Sequence, residues 1–357
     1  MPAPICPVVA TCGGCPWFDE PAERTRERKL GELRTALARH LGASFATHDV
    51  GWVHRDGPVG YRHRIRLRVD ESGIIGFFNQ EKSRQCAVLL PDVLERLQRL
   101  LDFNESHPEF FVGFCHLELR GVDLDGKAAL CLYPRIGATL VGSERLAGLT
   151  QLGDDWLFGI RDHGAMPMQR LALTHLYHFV PLTSFLQVNR VMNDRLVQHV
   201  VDGARARRVR SFLDLFAGAG NFTLPLLALG ARGTAIESDR LAIEACDRSA
   251  RAQSFDNGIF RAEDARSSVA EFGMDEGFDL VIVDPPRAGL KESVRDVARL
   301  AKRFLVYVSC NRESLAKDLK RLVDSAMVIE SITAFDLFER TDHLETCVWL
   351  RASDGAP

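Results

Sequence analysis

Leu30, Leu33, Leu37 and Leu41 recur at helical spacing and predict one amphipathic helix over residues 20 to 42, charged on its outer face. From Tyr61 to Pro134 the apolar runs shorten. They predict strands at Ile65–Val69, Ile74–Phe78, Leu117–Arg120 and Ala128–Tyr133, with a helix over Pro91 to Phe103. Asp70-Glu-Ser-Gly73 and Asp123-Leu-Asp-Gly126 are turn signals between these elements. Apolar and polar residues alternate in this half, which suits an antiparallel sheet in an α+β domain.

The pattern changes after Pro181-Leu-Thr-Ser-Phe-Leu-Gln-Val-Asn189, which precedes a helix over Arg190 to Val201. We place a domain boundary here, giving 1–180 and 181–357. From Val209 on, strand and helix alternate, as in an open, mostly parallel sheet. Strands fall at Ser211–Phe216, Gly233–Ile236, Gly258–Arg261, Phe278–Val283 and Phe304–Val308. Two more follow, Met327–Phe335 and Glu345–Arg351, separated by about nine residues, too few for a crossover helix, so they are expected to pair antiparallel. The last strand then starts on the edge where the parallel strands end. That brings Glu345 towards Cys310 across 35 residues of sequence.

Composition places the chain among ordinary globular proteins, with 46% apolar and 26% charged residues. No apolar run approaches a membrane span, and Met-Pro-Ala-Pro-Ile-Cys has no secretory pattern, so the expected location is the cytoplasm. A net charge of −3 conceals local basic clusters: Arg62, Arg64, Arg66 and Arg68 alternate along one strand, and Arg24, Arg26, Arg28 and Lys29 lie upstream. Each is either a solvated face or a phosphate-binding one.

Nine cysteines in a chain without a secretory signal do not read as a disulfide framework. Cys6, Cys12 and Cys15 crowd the amino terminus with Gly13 and Gly14 among them, and Cys86 is available as a fourth ligand. Four thiolates suit zinc or a [4Fe–4S] cluster. One short knuckle matched with a distant single cysteine favours iron–sulfur over paired zinc knuckles. Buried, unligated thiols are the alternative, disfavoured because three clustered cysteines in a cytoplasmic protein more often read as metal ligands.

Chemistry gathers at the strand ends of the second half. Ser211-Phe-Leu-Asp-Leu-Phe216 runs into Ala217-Gly-Ala-Gly-Asn221, a glycine turn that lets a ligand approach the backbone. It lacks both the full dinucleotide fingerprint and a phosphate-loop lysine, so a neutral or zwitterionic ligand fits better than a polyphosphate. Glu237 ends the second strand, where an acid can accept hydrogen bonds from a ribose. Asp284-Pro-Pro-Arg287 ends the fourth and holds an acid on a stiff backbone. Ser309-Cys-Asn311 ends the fifth, opening onto a helix whose dipole is expected to favour the Cys310 thiolate as a nucleophile. Glu345 beside it is a base candidate or a plain strand-end acid.

Asp214-Leu-Phe-Ala-Gly-Ala-Gly-Asn-Phe-Thr223, Asp284-Pro-Pro-Arg287, Ser309-Cys-Asn311 and His343-Leu-Glu-Thr346, in this order, resemble the S-adenosylmethionine-dependent RNA uridine C5-methyltransferases. The resemblance implies a Rossmann-like class I methyltransferase domain, with a mostly parallel seven-stranded sheet and an antiparallel last strand, after an α+β domain carrying an iron–sulfur segment. It implies Cys310 as nucleophile, Glu345 as base, and Gln187, Phe216, Asn221, Glu237, Asp264 and Asp284 around the methyl donor. Cys6, Cys12, Cys15 and Cys86 match the family's cluster ligands. The family's larger members begin with an extra small β-barrel, for which this chain has no room. Its length and cysteines look most like the subfamily acting on a 23S rRNA uridine of the U747 type, with tRNA U54 disfavoured because those enzymes usually lack the cysteines. A monomer that binds RNA through the Arg62–Arg68 face is expected. An amino-directed N-methyltransferase shares Asp-Pro-Pro but needs no cysteine nucleophile. An iron–sulfur RNA-binding protein with a relic methyltransferase domain would not need Cys310, Glu345 and the glycine turn together.

Overall fold

The computed structural model describes residues 6–42, 45, 48–55, 60–77, 84–138 and 147–353. The strands are β1 (Val50–Val53), β2 (Arg64–Val69), β3 (Ile75–Gly76), β4 (Phe114–Arg120), β5 (Ala128–Pro134), β6 (Trp156–Ile160), β7 (Met168–Leu173), β8 (Leu176–Pro181), β9 (Ser211–Leu215), β10 (Arg232–Glu237), β11 (Gly258–Ala262), β12 (Phe278–Val283), β13 (Ala301–Ser309), β14 (Met327–Phe335) and β15 (Glu345–Ala352). Phe78, the end of one expected strand, lies outside the described residues.

The chain divides into two compact units. The first comprises 1–19, 56–172 and 179–190, and the second 20–55, 173–178 and 191–357. The first holds a sheet in the order β3-β2-β4-β5-β6. It is antiparallel as expected, except that β5 and β6 pair parallel. Val93, Leu97, Leu100 and Leu101 of the Pro91–Ser106 helix are buried in the same core as Ile65, Leu67, Leu117 and Leu119. Arg66 and Arg68 stand exposed on β2 while Ile65, Leu67 and Val69 are buried, so the period of two holds. Arg64 on that face is not free in water: its Nη1 donates to Glu118 Oε2 at 2.7 Å.

The second unit is one sheet in the order β1-β14-β15-β13-β12-β9-β10-β11. It therefore has eight strands rather than the expected seven. β9 to β13 run parallel where they pair, and β15 is inserted antiparallel between β13 and β14. Alternate residues of the central strands enter opposite cores. Leu213, Val281, Leu305 and Tyr307 lie in one; Phe212, Ile282, Val306 and Val308 lie in the other. That two-sided burial is why these strands read as unbroken apolar runs.

A boundary at residue 180 does not describe this division. The Ala22–Leu41 helix buries Leu30, Leu33, Leu37 and Leu41 in the core shared with Leu315 and Leu319 of the Arg312–Asp324 helix, and β1 pairs with β14. A helical stripe shows that a face is buried, but not against which partner. Lys29 is a second departure. Instead of joining a basic surface cluster it is buried, and its Nζ donates to Asp336 Oδ1 at 2.6 Å and to the Phe338 carbonyl at 3.0 Å. Burial lowers its pKa, and the Asp336 carboxylate resists that shift. No described helix is long and apolar enough to cross a membrane.

Asp336→Ala leaves the Lys29 ammonium buried without its counter-charge. It should destabilise the protein by about 3–5 kcal/mol, read as a lower midpoint in urea unfolding. Lys29→Met combined with Asp336→Leu should recover most of that loss.

Candidate active site

The strand register assembles the site. β13 and β15 pair Ser309 with Thr346, while β14 and β15 pair Phe335 with Glu345. One step beyond the Ser309–Thr346 pair, Cys310 follows β13 and Glu345 begins β15, at the edge where β9, β10 and β12 also end. Glu345 is buried and Cys310 partly so. The turn around the thiol is tied at both ends. Asn311 Oδ1 caps the next helix, accepting from the Glu313 and Ser314 amides at 3.0 and 3.2 Å, and Ser309 Oγ accepts from the Asn311 amide at 3.1 Å.

The electrostatics differ from the expectation of a favoured thiolate. Burial, reinforced by the charges of Glu345 and Asp284, pushes the Cys310 thiol up to about 11; Arg287 pulls the other way through its charge and a hydrogen bond. The helix amino end does not offset two neighbouring carboxylates and the loss of water. Asp284 is itself raised to about 7 by burial. Asp214 is also raised to about 7 by burial; its Oδ2 accepts from Thr223 Oγ1 at 2.5 Å, which opposes the shift, while Asp284 and Glu237 add to it.

The glycine turn follows β9. Phe216 and Gly218 have φ of 64° and 56°, and Gly218 has no protein atom within 4 Å of where a Cβ would stand. That open face leaves room for a ligand against the backbone. Glu237 Oε2 accepts from the Gly218 amide at 3.0 Å, and Oε1 accepts from the Asp239 amide at 2.8 Å. Asn221 exchanges two amide hydrogen bonds with Asn193, at 2.8 and 3.0 Å. The Arg266 guanidinium lies 5.4 Å from the centre of the Phe216 ring. Asp264 is exposed and its Oδ1 caps a short helix, accepting from the Arg266 and Ser267 amides, which hold its carboxyl below the usual range.

Cys310, Glu345, Phe216, Asn221, Glu237, Asp264 and Asp284 belong to the second unit, and Gln187 to the first. Gln187 is buried, and its Oε1 accepts no hydrogen bond among the described residues. Two residues earlier Phe185 is 69% exposed beneath the Arg64 guanidinium. Buried Arg120 fixes the approach to this segment by donating to the carbonyls of Pro181, Leu182 and Ser184 at 3.1, 2.7 and 2.6 Å.

Two supporting residues escaped the sequence reading. Asp318 Oδ2 accepts from the Leu290 amide and from Tyr307 Oη, both at 2.7 Å, linking the Asp284–Leu290 turn to β13. Gly289 is required beside it, since a Cβ there would come within 2.4 Å of that oxygen. Asn193 is the second. Both are polar residues set within the buried stripe of a helix, and that misplacement was the available signal.

The four amino-terminal cysteines share one neighbourhood. Cys6, Cys15 and Cys86 pack around Phe18, Tyr61 and Val88, and Cys12 and Cys86 border the main core of the first unit. Burial pushes the Cys15 thiol up to about 11; Arg62 opposes this, and the charges of Cys86, Cys12 and Cys6 add to it. Among the described residues no three Cys, His, Asp or Glu side chains converge as a set of metal ligands.

A doubly wound sheet with an antiparallel strand inserted near one edge, a glycine turn after its first parallel strand and an acid ending the next is the fold of a class I S-adenosylmethionine-dependent methyltransferase. A sequence profile described as tRNA (Uracil-5-)-methyltransferase matches residues 170–353. The 23S rRNA (uracil(1939)-C(5))-methyltransferase RlmD of Edwardsiella ictaluri is 30% identical over 362 residues, covering 96% of this chain and 80% of the relative. The RlmD of Marinomonas sp. is 28% identical over 382 residues, covering 98% and 80%. The solved Pyrococcus abyssi tRNA (uracil-54, C5)-methyltransferase, in complex with S-adenosyl-L-homocysteine, shares the fold, with a TM-score of 0.72 and 24% identity over 96% of this chain and 86% of that one. The chain belongs to this family, the S-adenosylmethionine-dependent RNA uracil-C5-methyltransferases.

Alkylation of Cys310 by iodoacetamide follows its thiolate fraction. It should be slow at pH 7 in the protein alone and rise steadily towards pH 11. Glu345→Gln removes a negative charge that opposes the thiolate, so the profile should move to lower pH and the rate at pH 8 rise several-fold. Peptide mass spectrometry reads both.

Proposed function

We propose that this enzyme methylates C5 of a uridine in 23S rRNA, with Cys310 as nucleophile and Glu345 as base. The observation that carries this reading is the pairing of Ser309 with Thr346, which sets a thiol and a buried carboxylate side by side at the strand edge. The two RlmD relatives named above are described as acting on uracil 1939 of 23S rRNA, and the solved neighbour on uracil 54 of tRNA. The U747-type position expected from the chain's length and cysteines is the competing target within the same RNA.

C5 of uracil is too weak a carbon nucleophile to accept a methyl group unaided. Cys310 Sγ, as thiolate, adds to C6; the electron pair of the C5–C6 bond moves to the O4 enolate. S-adenosylmethionine, when bound, would supply a methyl group on a positively charged sulfur; as C5 of the enolate forms its bond to that carbon, the methyl–sulfur bond would break and the sulfur would leave as the neutral thioether of S-adenosylhomocysteine. Glu345 removes the remaining C5 proton, the C5–C6 double bond re-forms, and the C6–S bond breaks to return the thiolate. Arg287 favours that thiolate against the carboxylates around it. Asp284, near 7, can present either a proton or a lone pair to the uracil edge. Gly218 and Glu237 fit the methyl donor, one by its open face and the other as a ribose acceptor. Phe216, Asn221, Asp264 and Gln187 are proposed around the same ligand, Asp264 through what its capping role leaves available.

The target base must leave its stack to reach the thiol. Arg66 and Arg68 on β2, with Phe185 exposed beneath Arg64, are the proposed RNA-facing surface of the first unit. Cys6, Cys12, Cys15 and Cys86 are proposed to hold a [4Fe–4S] cluster. Four thiols gathered in one partly buried place repel each other as thiolates, and a bound cation relieves that cost.

Labelled S-adenosylmethionine with unmodified 23S rRNA should yield 5-methyluridine by nucleoside mass spectrometry, and fragment mapping should place it at 1939 or at a 747-type site. Cys310→Ala should abolish turnover, whereas Glu345→Gln should accumulate a protein–RNA adduct that survives denaturing electrophoresis. Label in tRNA alone would overturn the substrate, and a methylated amino nitrogen would overturn the mechanism. Anaerobically purified protein should contain about four iron and four sulfide per chain, lost in Cys15→Ser.

A further inference from the structure

A cavity of about 370 Å³ opens in the second unit beside Asn311, the residue after the nucleophile. Four cationic side chains line it. Arg287 and Lys291 come from the turn after β12, and Lys317 and Arg321 from the Arg312–Asp324 helix; all four are exposed. Two of the acids in its wall are already engaged. Glu313 is within 3.3 Å of Arg39 and 3.7 Å of His40, and Asp318 accepts from the Leu290 amide and Tyr307 hydroxyl. Glu292 remains, so positive charge is in excess. Arg321 Nη1 donates to the Lys291 carbonyl at 2.9 Å, tying the turn to the helix and setting the two lysines in one cleft. Arg287 lines this cleft, and its positive charge also favours the Cys310 thiolate.

We propose that this cleft binds the RNA phosphodiester backbone next to the target uridine, with Lys291 and Lys317 as its phosphate contacts. The inference rests on the uridine-methylating reading and gives that site a backbone anchor. A uracil turned out of its stack to meet Cys310 carries its sugar and flanking phosphates to the rim of the pocket. A nucleotide-sized hollow lined by exposed cations opens at Asn311, the residue that follows Cys310. Lysine supplies a mobile point charge, suited to phosphates whose sequence is not being read. A neutral or cationic ligand has no comparable set of partners there.

The test is fluorescence anisotropy of a labelled 23S rRNA hairpin transcript over a salt series. It compares the wild-type protein with Lys291→Ala, Lys317→Ala, the double variant and Lys302→Ala, a control at the amino end of β13. Each cleft variant should reduce the slope of log K against log salt by about 0.7–0.9, the loss of one phosphate contact. The KM for RNA should rise several-fold while kcat at saturating RNA and S-adenosylmethionine affinity hold, and Lys317→Arg should keep the slope. An unchanged slope in the double variant, or an equal fall in Lys302→Ala, overturns the cleft. Wild-type protein that forms no 5-methyluridine, while the double variant still loses slope, overturns the uridine reading and leaves the cleft as an RNA site.

Discussion

Everything at the active edge depends on β15 running backwards between two strands that run forwards. Parallel strands alone deliver only their carboxyl ends to that edge, one short segment each. An inserted antiparallel strand delivers its beginning instead, so Glu345 arrives beside Cys310 although the chain between them first builds a helix and β14. The placement is held by two ladders of hydrogen bonds, and a slip of one residue would turn every β15 side chain to the opposite face. Buried Val348 and Trp349 on opposite faces of the strand set the penalty for such a slip.

The same crowding that brings the groups together works against a thiolate at Cys310. Two carboxylates and little water keep Cys310 protonated, and Arg287 alone among its named neighbours pulls towards the thiolate. A thiol held protonated in this way is protected from stray oxidation and alkylation. Asp318 keeps this arrangement stiff. One buried oxygen serves the Leu290 amide and the Tyr307 hydroxyl, so the turn bearing Asp284 and Arg287 is tied to the strand that bears the cysteine. Lys29 does similar work for the other approach, fixing Asp336 and Phe338 in the connection that leads to Glu345.

The first unit supplies a different kind of surface. Its exposed β2 arginines and Phe185 face solvent, whereas its four cysteines are partly buried and Gln187 is buried. Arg120 gives the segment before Gln187 a fixed shape through three backbone carbonyls, which stabilises a loop that makes no regular ladder of its own.

Local order was legible from residue spacing. The leucine stripe, the apolar strands, the glycine turn, the acid of β10, the cysteine at the end of β13 and the antiparallel last pair all follow from periodicity and connection length, which are properties of short stretches. The family motifs added the chemistry of the edge. What the tertiary structure decided is which surfaces meet. It assigned residues 20–55 to the second unit and made β1 an eighth strand. It drew Lys29 into a buried pair, turned Asp264 to a capping role, and raised the Cys310 thiol where a helix end suggested the reverse. Asp318 and Asn193 acquired their importance in the same way. Each of these outcomes depends on burial and on charges brought together from distant sequence, and spacing along the chain carries no record of either.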